Sequence, residues 1–186
     1  IAVRTQGDDF ARYRRDLLAL VDRNTGSTPA CDSNPFFARN YDRCILCYRC
    51  TRICNEVEQS HAIAPAGHGF ASRIAAFGDS DLMETTCSFC GQCVNVCPTG
   101  ALSFLANPED VVDRTVATTC PYCGVGCGIL LDVSGDHIAH VRGDLTSPVS
   151  HGSLCVKGQF GWDFVASADR LTAPLIRRGD SLEPAS

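Results

Sequence analysis

The chain has 186 residues, 45% of them hydrophobic, so it can bury an ordinary core and needs no covalent staples to fold. Its formal net charge of -5 argues against a general nucleic-acid surface. Thirteen cysteines are the anomaly, and they leave three chemistries to choose among: a disulfide framework, structural zinc, or iron-sulfur clusters.

In chain order, residues 8–22 place Phe10, Tyr13, Leu17, Leu20 and Val21 at helical spacing with Asp8 or Asp9 as a cap, which predicts an amphipathic helix. Arg12, Arg14 and Arg15 read as its solvated face. Residues 24–35 are rich in turn formers and read as a linker; Cys31 within them has no partner spacing and reads as a free thiol. A cysteine-dense segment runs from about 34 to 107. Inside it Cys44, Cys47, Cys50 and Cys54 recur 43 residues later as Cys87, Cys90, Cys93 and Cys97, which implies two similar halves. Each CxxCxxC turn is expected to lead into a short helix near its third cysteine. The runs AIAPA (62–66) and ALSFL (101–105) read as short strands of a small α+β unit. Residues 107–113 mark the next boundary. Beyond it, 129–133 and 138–141 read as a hairpin turning at Ser134, Gly135 and Asp136. After Cys155 one helix is expected to carry Phe160, Phe164 and Val165 on a single side, and TAPLIRRGD reads as a lead into more protein.

Disulfide scaffolds are short, secreted and loop-rich, whereas this chain is long, shows no signal peptide and has an odd cysteine count. No apolar run approaches the ~20 residues of a membrane-spanning helix. The chain therefore reads as soluble, without a membrane span and from a reducing, cytoplasmic setting. A CxxCxxC loop can curl around one face of a 4Fe-4S cube and supply three thiolates; the fourth comes from elsewhere. In the bacterial ferredoxin run that ends in Cys-Pro, the fourth cysteine serves the other cluster. Applied here, Cys44, Cys47, Cys50 and Cys97 hold one cluster, and Cys87, Cys90, Cys93 and Cys54 a second. Asn55 stands where a proline would follow Cys54. Zinc fits less well, because a triple CxxCxxC leaves one thiolate in excess for a tetrahedral site. The third group, Cys120, Cys123, Cys127 and, after 27 intervening residues, Cys155, has a spacing that either metal chemistry could use. Its iron-sulfur neighbours favour a third 4Fe-4S cluster, and Gly124, Gly126 and Gly128 would let backbone pass close to it.

The stretches TTCPYCGVGCGILLDV, HGSLCVKGQFGWDFV and DRLTAPLIRRGD closely resemble the amino-terminal iron-sulfur domain of molybdenum or tungsten bis-pterin oxidoreductases, most closely the cytosolic formate dehydrogenases. NPFFARNYDRCILCYRC likewise resembles the di-cluster ferredoxin domain that precedes it in the larger members. The similarity covers roughly residues 34–180. It implies an α+β chain with a ferredoxin-like di-cluster domain (34–110) and a small α+β third-cluster domain leading into the bis-pterin domain (111–186), preceded by the amino-terminal helix and linker (1–33) that the spacing predicts. It implies a molybdenum or tungsten bis-pterin guanine dinucleotide in the complete enzyme. Lys157, two residues after Cys155, matches the lysine that bridges the third cluster and the pterin. Formate would be oxidised to carbon dioxide, and two electrons would pass by way of Lys157 through three clusters to an acceptor. Implied partners are the remainder of the catalytic subunit and an electron-acceptor subunit: an NAD-reducing flavin/iron-sulfur protein, a ferredoxin or a hydrogenase. The family's metal-ligating cysteine or selenocysteine lies well downstream of the third cluster, so no catalytic residue is assigned in this chain.

Other readings are the large iron-sulfur subunit of an NADH-oxidising complex, an iron-only hydrogenase, a nitrate reductase, a freestanding polyferredoxin, or a zinc-built interaction module. There is no GxGxxG and no P-loop, so nucleotide binding is expected elsewhere. Arg43, Arg49 and Arg52 interleave with the first cysteine group, while 87–97 carries no charge. The Cys44 cluster is therefore expected to have the higher potential of the pair.

Overall fold

The computed structural model describes residues 34–105 and 110–185. The expected helix at 8–22, Cys31, and most of the linker lie outside the described residues. The described residues fall into two units, 34–105 with 153–156, and 110–152 with 157–185.

In the first unit the described residues begin at Asn34. Its amide donates to the Phe37 carbonyl at 2.8 Å and its oxygen accepts from the Phe36 and Phe37 amides at 2.9 and 3.3 Å, so a buried polar side chain is satisfied. This sets the start of β1 (Phe37–Arg39), which pairs antiparallel with β4 (Leu102–Phe104) in the register Phe37 to Phe104 and Arg39 to Leu102. A second antiparallel pair joins β2 (Ile63–Ala66) to β3 (Arg73–Ala76). Pro65 is tolerated in β2 because both strands of a two-stranded ribbon are edges. The AIAPA and ALSFL runs thus form strands, each paired with a partner that its own pattern did not reveal. The core of the unit is Phe37, Ile63, Ile74, Leu82, Val94 and Leu102, all 6% exposed or less. Short helices begin beside the third cysteine of each loop: α1 (Arg49–Arg52), which runs into a π-turn at Ile53–Val57, and α2 (Gln92–Asn95).

In the second unit β5 (Arg114–Thr119), β6 (Gly128–Ser134) and β7 (His137–Gly143) form an antiparallel meander with a register shift at Asp132/Val133. The expected hairpin is β6–β7. The exposed β5, half of it threonine, carries no alternating apolar pattern and was not legible. Asp132, 7% exposed, accepts from the Thr115 hydroxyl at 2.6 Å and from Arg142 Nε and Nη2 at 2.8 and 3.1 Å. The Arg142 hydrogen bonds hold the Asp132 carboxyl at about 2.

After Cys155 the single helix expected to carry Phe160, Phe164 and Val165 is broken: α3 (Val156–Phe160) ends, and a 3-10 turn follows at Asp163–Val165. Gly161, a weak helix former, lies at the break, where its carbonyl accepts from the Tyr122 hydroxyl. Tyr122, Trp162 and Phe164 pack together, with Tyr122 and Trp162 ring centroids 5.6 Å apart. The final stretch forms a hairpin of β8 (Leu175–Arg178) and β9 (Ser181–Pro184). No helix among the described residues is long and apolar enough to cross a membrane.

Candidate iron-sulfur sites

The first CxxCxxC loop is curled by two residues in left-handed backbone, Leu46 (φ 53°) and Tyr48 (φ 59°). The second loop does the same at Phe89 (φ 53°) and Gly91 (φ 75°), each 43 residues further on. Repetition in the sequence is thus repetition in backbone conformation. Three of these four residues are not glycine, and such a conformation costs on the order of 1–3 kcal/mol each, a strain that collects at functional sites. The curl turns amides toward the sulfurs: Leu46 hydrogen-bonds Cys44, and Phe89 hydrogen-bonds Cys87.

Around one cavity, open to solvent on one side, the structure brings together Cys44, Cys47, Cys50 and Cys97, walled by Tyr41, Ile74, Ala101 and Leu102. Around a second it brings together Cys54, Cys87, Cys90 and Cys93, walled by Phe37, Phe89, Glu58 and Ser60. The fourth cysteine of each half therefore lies with the first three of the other half. Two devices carry these fourth cysteines across. Cys54 lies in the π-turn segment, and Ser60 beyond it hydrogen-bonds the Ser88 hydroxyl of the opposite loop at 3.2 Å. Cys97 is followed by Pro98, which cannot continue α2; the chain turns, and the Leu102 amide donates to Cys97 Sγ at 3.4 Å while the Thr99 hydroxyl lies 3.8 Å away. Phe89 packs on Phe36 and Phe37 at centroid distances of 5.8 and 6.3 Å, closing the second cavity from the β1 side.

Most of these thiols are pushed toward their neutral form. Burial raises Cys50 to about 12, helped by the neighbouring charges of Cys44, Cys47 and Cys97. Burial also raises Cys44, Cys87 and Cys90. Cys93 is driven well above its ordinary range by burial of its thiol, although the residue as a whole is only half-buried. Cys97 differs: burial would raise it, but hydrogen bonds from the Leu102, Thr99 and Ala101 amides and the Thr99 hydroxyl together lower it. Four thiols so placed cannot all ionise unless a cationic centre sits among them, which is what a metal or iron-sulfur core supplies. Among the described residues no group of three or more His, Cys, Asp or Glu side chains converges as a metal-ion site; the two sets of four thiols instead line cavities. The donor chemistry and the cradle shape fit a cubane.

Of the third set, Cys120 is buried at the end of β5, Cys127 is half-buried just before β6, and the Cys120 amide donates to the Cys127 carbonyl at 2.8 Å. Cys123 is exposed between them. Cys155, also exposed, precedes α3 and falls in the 153–156 segment of the first unit. Lys157 is exposed on α3. The glycines of this loop have separate reasons: Gly126 has φ 71°, Gly124 faces open space, and Gly128 has no room for a Cβ because Ser147 lies against it. Only the first two are free to accommodate a group outside the chain.

Spacing alone did not reveal Glu58, Ser60, Ser88, Thr99 or Arg39 as neighbours of the sulfurs. Glu58 is four residues past Cys54, one turn along a helix, but nothing in the sequence marks the helix as continuing that far.

Residues 34–103 match the ferredoxin-like domain of NADH-quinone oxidoreductase subunit 3, and residues 113–167 match the molybdopterin oxidoreductase Fe4S4 domain. The chain carries both iron-sulfur domains. A subunit of the NADH-quinone oxidoreductase of Rhizobium meliloti is 37% identical over 82% of this chain and 18% of that protein. The alpha subunit of the NADPH-Fe(3+) oxidoreductase of Geobacter sulfurreducens is 32% identical over 95% of this chain and 25% of that protein. A Staphylococcus haemolyticus protein named "Putative formate dehydrogenase" is 28% identical over 79% of this chain and 19% of that one. These relatives are named as oxidoreductases, and the two-domain iron-sulfur chain spans about a fifth to a quarter of their length.

Proposed function

We propose that this two-domain chain is the iron-sulfur electron-transfer region of a molybdopterin-type formate dehydrogenase. The observation that carries the electron-transfer reading is the pair of four-thiol cavities with exchanged fourth cysteines. In this reading Cys44, Cys47, Cys50 and Cys97 hold one 4Fe-4S cluster, Cys54, Cys87, Cys90 and Cys93 a second, and Cys120, Cys123, Cys127 and Cys155 a third. The clusters, when bound, supply one-electron carriage. The chain's own contribution is to fix their positions, wall them with Ile74, Leu102, Phe37 and Phe89, and direct amides at their sulfurs. Lys157 is assigned as the cationic contact between the third cluster and the molybdenum or tungsten pterin carried by the remainder of the subunit. The likeness to the Staphylococcus haemolyticus relative supports formate as the electron source.

A second reading is favoured by the 37% identity to the Rhizobium meliloti NADH-quinone oxidoreductase chain: the same relay serving a complex that oxidises NADH. Anaerobic purification of the full-length protein tests both. Iron and sulfide near twelve each for this region, about four per cubane, are expected. Appearance of the EPR signals of reduced clusters on adding formate supports the first reading, and their appearance with NADH but not with formate replaces it with the second. Colourless protein containing zinc overturns both.

A further inference from the structure

Resting on the two-cluster reading above, we propose that Glu58 lowers the potential of the cluster held by Cys54, Cys87, Cys90 and Cys93, making it harder to reduce than the cluster held by Cys44, Cys47, Cys50 and Cys97. Among the described residues lining the two cavities, Glu58 is the one with a charged side chain other than the thiols. It is held in place from both ends. Its amide donates to the Ile53 carbonyl at 2.9 Å, which closes the π-turn after Cys54, and its Oε1 accepts from the Ser153 hydroxyl at 2.8 Å. A half-buried carboxylate is screened less than a solvated one, and a fixed negative charge beside a cluster opposes the arrival of an electron.

The arginines do not cancel this difference. Arg39 acts on Cys87 and partly offsets Glu58. On the other side Arg43 reaches the loop after Cys97, 3.8 Å from where a Cβ on Gly100 would stand. Arg39 also lies 5.7 Å from the ring of Tyr41, which walls the first cavity, so it does not set the two sites apart. Arg52 is exposed and paired with Glu56 at 3.3 Å, and Arg49 is exposed to solvent, where its field is screened. Donors reach sulfur at both sites, the Leu102 amide and Thr99 hydroxyl at Cys97 on one and the Gln92 amide and Ser88 hydroxyl at Cys90 on the other, so what distinguishes the two is Glu58. The higher potential assigned to the Cys44 cluster therefore follows from the carboxylate more than from the arginines within its own loop.

The test is an EPR-monitored redox titration of the full-length, cluster-loaded protein, with the Cys54-set signal assigned by its altered line shape in Cys90→Ser. Glu58→Gln keeps an acceptor for Ser153 and removes the charge. It is expected to raise the midpoint of that signal by roughly tenfold in the reduction equilibrium, about 59 mV for a one-electron couple, and to leave the Cys44-set signal in place. Ser88→Asp, which adds a carboxylate to the same cavity, is expected to move it the opposite way. Glu56→Gln, an equal change in net charge outside the cavity, should leave it unmoved. An unchanged midpoint in Glu58→Gln, an upward shift in Ser88→Asp, or an equal shift in Glu56→Gln overturns the proposal while the cluster reading stands. Absence of cubane signals from the parent protein overturns the cluster reading and the proposal together.

Discussion

Leu46 and Phe89 stand 43 residues apart and share the same backbone angle, φ 53°, in the left-handed region. Tyr48 and Gly91 form the next equivalent pair, at φ 59° and 75°. The second pair shows that glycine serves where tyrosine does, since the requirement is conformational. Tyr48→Gly is expected to retain the full iron content. Tyr48→Val, β-branched and costing about 1–3 kcal/mol in this conformation, is expected to lose the Cys44-set cluster selectively. Iron and sulfide analysis with EPR distinguishes the outcomes; equal retention in both variants would show that the loop does not need its curl.

Exchange of the fourth cysteines makes an asymmetric prediction. Cys97→Ser should alter the signal of the cluster whose other ligands lie 47–53 residues earlier in the chain, and leave the signal of its own loop intact. Cys54→Ser should do the reverse. If each substitution instead disturbs the cluster of its own loop, the two cavities do not correspond to the two clusters.

Cluster assembly should be strongly pH-dependent. Cys50 is raised to about 12, and Cys44, Cys87, Cys90 and Cys93 are raised as well, so these thiols carry protons at neutral pH that binding must release. Anaerobic reconstitution of the apoprotein at fixed iron and sulfide is expected to fall as pH drops from 9 toward 6, with measurable proton release in weak buffer. In the apoprotein the raised thiols favour the folded state below the ordinary thiol range, and that contribution is lost as pH rises toward about 12. A flat reconstitution profile would contradict the burial of these sulfurs.

Asp132 predicts the opposite dependence for the second unit. Its carboxyl is held at about 2 by Arg142 and Thr115, below the ordinary 3.8, so its stabilising contribution is present above about pH 4 and lost as pH falls through about 2. Asp132→Asn should cost about 1–3 kcal/mol at neutral pH, because Arg142 and Thr115 lose their charged acceptor. Thermal unfolding of parent and variant, followed from pH 7 downward, should converge toward pH 2. A constant difference across that range would place the effect elsewhere.

The cysteine spacing made the sites legible at the level of which thiols belong together, because a CxxCxxC loop can present only three sulfurs to one cube and a displaced fourth must come from somewhere. Short apolar runs marked β2 and β4, and apolar runs on either side of Ser134, Gly135 and Asp136 marked the β6–β7 hairpin. The same patterning missed β5, whose six residues are all exposed and alternate nothing, and it placed one helix where Gly161 breaks two. Glycine spacing around Cys127 pointed to close approach by a cluster, yet Gly128 is required by Ser147, a residue 19 positions away. Glu58 was invisible for a related reason: its nearness to Cys90 depends on a π-turn and on a serine 95 residues downstream, neither of which leaves a local pattern.

Asn55 and Pro98 occupy equivalent places in the two halves, and their difference reaches further than a missing amide. Where proline stops the backbone, the second half turns away at once; where asparagine lets it wind on, the first half gains five residues of helix, ending next to Glu58. One ring-closed residue, present in one half and replaced in the other, thus gives two repeated loops unlike surroundings: a helical shoulder carrying a carboxylate beside one set of thiols, and a bare backbone turn beside the other.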